Sequence, residues 1–244
     1  MRFLFHIMNK DLSIVVPSYN EENNIQKCIK AIKAQKGNFS YEIIVVDNNS
    51  NDKTKKKSEE MGVKVICEKT QGVGSARRTG TNRAIGKFVL HLDADSILPP
   101  SFFIQLMSYF KNNSDVVCVG GQYIFYDAPW WKNLLRFILF YPLLYFARIV
   151  TNFRVGPMGG CMAFRRDIYL KTQGFRKDLK FGEDSEICRQ LSYFGKIKVN
   201  TKLKCFTSSR RFKINFKLLV LFFQFLKLVF NRRYNYNFPH SDEL

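Results

Sequence analysis

Along the first 125 residues, hydrophobic positions come in short solid blocks, separated by stretches in which they recur every three or four residues. The blocks LSIVVPS (12–18), YEIIVVD (41–47), VKVICE (63–68), KFVLHLDAD (87–95) and DVVCVGGQYIF (115–125) have strand length and predict five strands. After the first block, NEENNIQKCIKAIKAQKG predicts a helix with Asn20 as N-cap, acids in its first turn and Gly37 as its stop. GSARRTGTNRAIG (74–86) and PPSFFIQLMSYF (99–110) predict two more, the second entered through proline. The polar NNSNDKT reads as a turn after the second strand. Solid apolar strands alternating with helices predict an α/β fold, with a parallel sheet covered on both faces. Such sheets hold ligands beyond the carboxyl ends of their strands, here after Val16, Val46 and Leu92.

The second half is less regular. NLLRFILFYPLLYFARIV (133–150) and INFKLLVLFFQFLKLVF (214–230) are apolar and aromatic, the latter with Lys217 and Lys227 near its ends. Neither offers the roughly 18 uncharged residues expected of a membrane-spanning helix. RVGPMGGCMAFRRD (154–167) reads as a glycine-rich loop running into a strand, and GEDSEICRQLSYFG (182–195) as a helix with acids at its start.

Charge changes this picture. The 244 residues carry 39 Lys and Arg against 20 Asp and Glu, a net charge of +19. Residues 1–127 hold 17 basic and 13 acidic groups, whereas 128–166 hold six basic groups and 187–241 twelve, with no acid in either stretch. The excess therefore sits in the C-terminal half and calls for an anionic partner there. Nucleic acid is a poor fit, because no helix-turn-helix, zinc-finger or RRM signature is present. Apolar helices flanked by Lys and Arg suit an anionic membrane surface, or else pack on the sheet or on a second subunit. Six cysteines stand singly with no C-x-x-C pair, as expected of reduced, mostly buried thiols in the cytoplasm. MRFLFHIM lacks a cleavage site, so no signal peptide is expected, and the terminal SDEL is read as coincidence.

Several constellations carry chemistry. At the end of a strand, Asp93 and Asp95 would point to one side at period two, where a hard divalent ion such as Mg²⁺ or Mn²⁺ relieves their repulsion. The bland alternative is a solvated turn in which Asp95 caps the next helix. Asp47, ending its strand, could accept N–H bonds from a nucleotide base or cap the helix starting near Asp52. Tyr19, in VPSYNEE, could stack on a base or simply pack. Arg77 or Arg78 could pair with phosphate or lie solvated on their helix. Asp184, in GEDSE, could act as a general base or merely offset the helix dipole.

Taken in order, VPSYNEE, VVDNNSNDKT, GSARRTGTNRAIGKFVLHLDADS, GGCMAFRRD and GEDSEICRQL resemble the family 2 glycosyltransferases over about residues 11–195. The resemblance implies a GT-A fold: a Rossmann-like, mostly parallel sheet with helices on both faces, followed by amphipathic helices in the C-terminal half. It implies a catalytic domain over 1–210, with a nucleotide-sugar half near 11–127 and an acceptor half near 128–210. Residues 211–244 would form a basic apolar helix and tail associated with a membrane or an interface. By this resemblance Pro17, Tyr19, Glu21 and Asp47 would hold the nucleotide, Arg77 would sit by the donor, and Asp93 and Asp95 would bind metal and diphosphate. Gly159, Gly160 and Glu183 would line the acceptor side, and Asp184 would be the base. Ser209, Arg210 and Arg211, in TSSRRF, are further candidates for the diphosphate.

The implied activity is inverting transfer from a nucleotide-diphosphate sugar to a hydroxyl, on a glycan or lipid-linked acceptor, at the cytoplasmic face of a membrane. Direct transfer to polyprenyl phosphate, or a silent scaffold, are the alternatives. No Q-x-x-R-W motif is present, so a processive synthase is not expected.

Overall fold

The computed structural model describes residues 10–150, 159–179 and 182–210. The predicted helix at 214–230, the start of the glycine-rich loop and Arg211 lie outside them. The chain runs β1 (Lys10–Ser18), α1 (Ile25–Lys33), β2 (Tyr41–Asp47), α2 (Thr54–Glu59), β3 (Lys64–Cys67) and α3 (Val73–Arg83). It continues through β4 (Gly86–Leu92), β5 (Ser96–Ile97), α4 (Phe102–Asn112) and β6 (Val116–Phe125). Next come α5 (Trp130–Leu135), a π-helical turn (Arg136–Phe140) and α6 (Tyr141–Val150). β7 (Cys161–Arg165), α7 (Arg166–Tyr169), α8 (Glu183–Leu191) and β8 (Lys196–Thr207) complete it.

The strands form one sheet in the order β3-β2-β1-β4-β7-β6-β8-β5. The first four are parallel, as the solid apolar runs predicted. β7 departs from that expectation: it is wedged antiparallel between β4 and β6, while β6 and β8 run parallel to each other. Both faces are covered. Ile14 and Val16 join one core with Ile25, Ile29 and Ile32 of α1 and Phe102, Phe103 and Leu106 of α4. Val15 points the other way, into a core with Ala76 of α3 and Ile187, Cys188 and Leu191 of α8. A strand buried on both faces has no polar side to show, which is why the blocks read as unbroken apolar runs.

Three local expectations are corrected. Asn20 is not an N-cap: its φ is 53°, and α1 starts later, at Ile25, with no acid in its first turn. Its groups go sideways instead, with Asn20 N–H donating to Ser50 Oγ at 3.0 Å and Asn51 N–H donating to Asn20 Oδ1 at 2.9 Å. The acids behave likewise, for Glu21 N–H donates to Thr54 Oγ1 and Glu22 N–H to Asp52. These bonds fasten the β1–α1 loop to the β2–α2 loop. β4 stops at Leu92, so Asp93 and Asp95 stand in a turn closed by Ser96 N–H on Asp93 O at 3.0 Å.

The apolar segment predicted at 133–150 starts earlier. Trp130–Val150 is a 21-residue helix with mean hydropathy 1.4, long and apolar enough by length and composition to cross a membrane, contrary to the sequence expectation. Five of the six cysteines are buried and all are free thiols.

His91 is fully buried on β4, with Nε2 at 2.9 Å from Thr81 Oγ1 and its ring between Phe164 and Phe175. Burial first, and the charge of Arg77 second, hold its pKa well below the usual 6.5. The unfolded chain therefore takes up a proton near pH 6.5 that the native state refuses, so stability is intact above that pH and declines below it. Chemical denaturation between pH 7 and 5 is expected to show a loss approaching about 1.4 kcal/mol per pH unit from this site. His91→Gln should flatten that slope; an unchanged slope would assign it elsewhere.

Candidate active site

The carboxyl ends of β1, β2, β4, β6 and β8 meet at one edge of the sheet, because Ser18 pairs with Asp47 and Phe125 with Thr207. The antiparallel β7 begins at that edge, with Cys161 opposite Leu92. The loops leaving those ends carry most of the residues singled out from the sequence.

Asp47 closes β2 and is buried. Ser50 N–H approaches its Oδ2 at 3.4 Å, while its Oδ1 is buried with no hydrogen-bond partner. It does not cap α2, whose first residue Thr54 donates its N–H to Asp52 Oδ1 at 2.9 Å instead. A buried, unsatisfied carboxylate oxygen carries a desolvation cost that an incoming N–H donor removes. Beside it, Pro17 lies half-buried in β1 and Tyr19 is exposed, not packed.

Arg77 organises the centre. It is not a solvated helix arginine: it is buried, with Nη1 donating to Glu183 Oε1 at 2.6 Å and Nη2 to Asp93 Oδ1 at 3.3 Å. Burial works against its charge, but Glu183, Asp93 and Asp184 outweigh that and hold the guanidinium more firmly cationic than in water. The same burial, with Asp184 and Asp93 adding to it, raises the Glu183 carboxyl above its ordinary range while Arg77 pulls it back. The neighbouring Arg78 ties α3 to the carbonyls of Gln173 and Phe175 at 3.2 and 3.0 Å.

Two glycines are required by this packing. A Cβ on Gly159 would sit 1.9 Å from Arg77 Nη1, and one on Gly160 would sit 2.1 Å from Asp93 Oδ2. The bare backbone thus lies directly on the ion pair. Gly159 N–H donates to Asp184 Oδ2 at 2.9 Å, and Ser185 N–H donates to its Oδ1 at 2.7 Å. Asp184 is only half-buried, whereas Glu183 is sealed against Arg77. Of the two acids, Asp184 is the one a solvent-borne group can reach.

The third cluster joins Glu21, Asp95 and Arg210. Asp95 caps nothing: its Oδ1 accepts from Thr207 Oγ1 at 3.2 Å and its Oδ2 takes Arg210 Nη2 at 3.3 Å. Arg210 also pairs with Glu21, a buried carboxylate that accepts from Asn24 Nδ2 at 2.9 Å. Asp127 positions this segment by accepting from Ser208 Oγ and, at 2.6 Å, from Ser209 N–H. Asp127 and Thr207 were not picked out from the sequence. Asp127 could have been, since it follows its strand as Asp47 and Asp93 follow theirs.

Among the described residues, no group of three or more His, Cys, Asp or Glu forms a metal cage. Two acids, Asp93 and Asp95, still suit a hard divalent ion that takes its other ligands from substrate phosphate and water. The sequence expected both carboxylates on one side of a strand. In the turn each is instead engaged by a different arginine, Asp93 by Arg77 and Asp95 by Arg210, which offsets their charge.

A family model for glycosyl transferase family 2 matches residues 13–172. The dolichol-phosphate mannosyltransferase of Pyrococcus furiosus is 35% identical over 118 residues, which is 46% of this chain and 33% of that protein. The mannosyltransferase PcManGT from Pyrobaculum calidifontis, solved with GDP-Man and Mn²⁺, superposes with a TM-score of 0.66 at 20% identity, covering 83% of this chain and 58% of that one. S. aureus TarS in complex with UDP-GlcNAc gives a TM-score of 0.64 at 19% identity, over 82% of this chain and 59% of that one. At such identities the likeness is one of fold, and the fold is GT-A. The chain spans about a third of the length of the first curated relatives it matches.

Removing Arg77 leaves Glu183 buried without its cation. Arg77→Met is expected to cost about 3–5 kcal/mol in chemical denaturation. Adding Glu183→Gln to that variant should recover part of the loss. A double variant as unstable as the sum of the singles would mean the pair is not a unit.

Proposed function

The chain belongs to glycosyl transferase family 2, and we propose that it moves a sugar from a nucleoside-diphosphate sugar to an acceptor hydroxyl with inversion. The observation that carries this reading is the position of Asp184. Its reachable carboxylate rests on Gly159, which itself rests on the guanidinium holding Asp93. A group suited to take a proton is thereby fixed beside a group suited to hold a donor phosphate.

In this reading Asp47 accepts an N–H of the base through its unsatisfied oxygen, with Pro17 and the exposed ring of Tyr19 against the base. Asp93 and Asp95 would hold a divalent Mg²⁺ or Mn²⁺ ion, which when bound neutralises the leaving diphosphate. Arg210 and Arg211 add cationic contacts to that diphosphate, and Glu21 orients Arg210. Gly159, Gly160 and Glu183 border the acceptor. Asp184 takes the hydroxyl proton as the acceptor oxygen bonds to the anomeric carbon. The opposite anomeric C–O bond breaks, and its electron pair leaves with the nucleoside diphosphate.

The name of the P. furiosus relative raises a second acceptor, a polyprenyl phosphate. Such a phosphate is already ionised and needs no base, so the placement of Asp184 favours a hydroxyl, on a glycan or a lipid-linked glycan at the cytoplasmic face of a membrane. A silent scaffold would have no use for Asp47, Asp93, Asp95 and Asp184 together.

Thermal unfolding of the full chain with a panel of nucleotide sugars, with and without Mn²⁺ or Mg²⁺, tests the donor. One nucleotide sugar is expected to stabilise by about 2.7 kcal/mol at a hundredfold excess over Kd, in a metal-dependent manner. Asp95→Asn should abolish the metal dependence, and no response to any donor would overturn the reading. Asp184→Asn should slow transfer by about 10²–10⁴-fold while donor affinity stays within a few-fold. Undiminished transfer would favour the phosphate acceptor, and lost donor affinity would move Asp184 to the donor side.

A further inference from the structure

The helix Trp130–Val150 is amphipathic the wrong way round for water. Its arginines face inward: Arg136 stacks over the rings of Phe125 at 4.6 Å and Tyr123 at 5.3 Å, and Arg148 Nη2 donates to Ile197 O at 2.8 Å. Both are buried. Twelve residues separate them, which on an unbroken α-helix would set them about 120° apart. The π turn takes up about one extra residue, so the interval becomes roughly three whole turns and both reach the same face. Outward stand Trp130, Trp131, Phe137, Ile138, Tyr145 and Phe146, each between 45 and 75% exposed. An uncovered apolar face of this extent marks an interaction surface.

Length and hydropathy would allow the helix to span a bilayer, but its fastenings do not. Asn133 brackets the backbone of Phe125, donating to its carbonyl at 3.0 Å and accepting from its N–H at 2.9 Å. Tyr141 Oη accepts from Tyr123 N–H at 3.1 Å. One face is thus bound along its length to β6 and β8, and only the other can meet lipid. A helix in that state lies in the plane of a membrane surface.

Charge selects among occupants of this face. With Arg136 and Arg148 turned inward and Lys196 paired with Asp115, the charges left beside this face are basic: Lys132 at the start of the helix and Lys198 next to the point on β8 where Arg148 lands. A second copy packed on the same face would bring like charge to like. We propose that Trp130–Val150 is an in-plane docking helix for an anionic bilayer surface, its aromatic face in the acyl boundary and the adjoining lysines at the headgroups. This does not depend on the reaction assigned above.

The chain has two tryptophans, and both stand at the start of this helix. Their fluorescence therefore reports on this helix and not on the tail. With the full chain, vesicles of phosphatidylcholine and phosphatidylglycerol should shift emission to the blue, and brominated acyl chains should quench it. Pure phosphatidylcholine vesicles should do neither. Phe137→Asp with Ile138→Asp, both surface positions, should weaken vesicle binding at least tenfold with unchanged far-ultraviolet circular dichroism and unchanged thermal response to donor. Flotation with unshifted, unquenched tryptophans would place membrane binding on another surface and overturn the proposal. So would absence of flotation, or a blue shift without vesicles that accompanies doubling of the mass. Loss of the donor response with vesicle binding kept would sink the assigned reaction and leave this inference standing.

Discussion

One buried cation holds the site together. Arg77 sits where α3, the turn after β4, the start of β7 and the first turn of α8 converge, and it pairs with Asp93 and Glu183 at once. Taking a guanidinium out of water is costly, so the surroundings must supply compensating charge at short range. That requirement fixes much of the sequence around it. Glu183 must open α8, Asp93 must end the β4 segment, and Gly159 must lack a side chain because the backbone crosses directly over the guanidinium. The wedged antiparallel β7 serves the same end. Entering beside Leu92, it delivers Gly159 and Gly160 onto the carboxylate and the arginine. The proposed base and the proposed donor ligand are then coupled through a shared rigid neighbour, without touching each other.

The parallel half of the sheet was legible because a doubly covered strand leaves a one-dimensional trace: most residues are apolar whichever face they point to, with Ser13 and His91 as buried exceptions. The positions of Asp47 and Asp93 were legible for a related reason, since a carboxylate at the point where such a run stops stands at the carboxyl edge of the sheet. Asn20 was misread because a polar residue after a strand and before a helix looks the same whether it caps that helix or clasps a neighbouring loop. Only the partner, Asn51, decides it, and it lies 31 positions away. The β4 boundary failed in the same manner. Leu92, Asp93, Ala94 and Asp95 alternate as a strand would, yet Arg77 and Arg210 draw the two acids toward different partners, and a turn meets that demand. Asp127 went unnoticed because its role is to hold Arg210, visible only when β6 and β8 are seen to end side by side.

The basic excess of the C-terminal half has resolved into unlike parts. Arg136 and Arg148 are spent inside, on rings and a carbonyl, and add nothing to the surface that a partner would feel as a local contact. Arg210 is spent on Glu21 and Asp95. Exposed charge is left to residues such as Lys198, Lys202 and Lys204 along β8. Net charge summed over these stretches thus overstates the charge left at their surface.

A lack of acids bears on why the docked helix is inverted. An arginine buried beside a carboxylate would form a neutral pair, and the helix could then turn either face to the protein at similar cost. With no acid between 128 and 166, Arg136 turns to aromatic faces on β6 and Arg148 to a backbone carbonyl on β8. The orientation is therefore set by the polar side of the helix, and the apolar side is presented outward as a consequence. The arrangement is stable in water only at the expense of leaving aromatic surface wet, a cost that an apolar boundary layer removes. Fastened to β6, whose far end borders the site beside Asp127 and Thr207, the helix would also fix the height of that site above whatever surface it rests on.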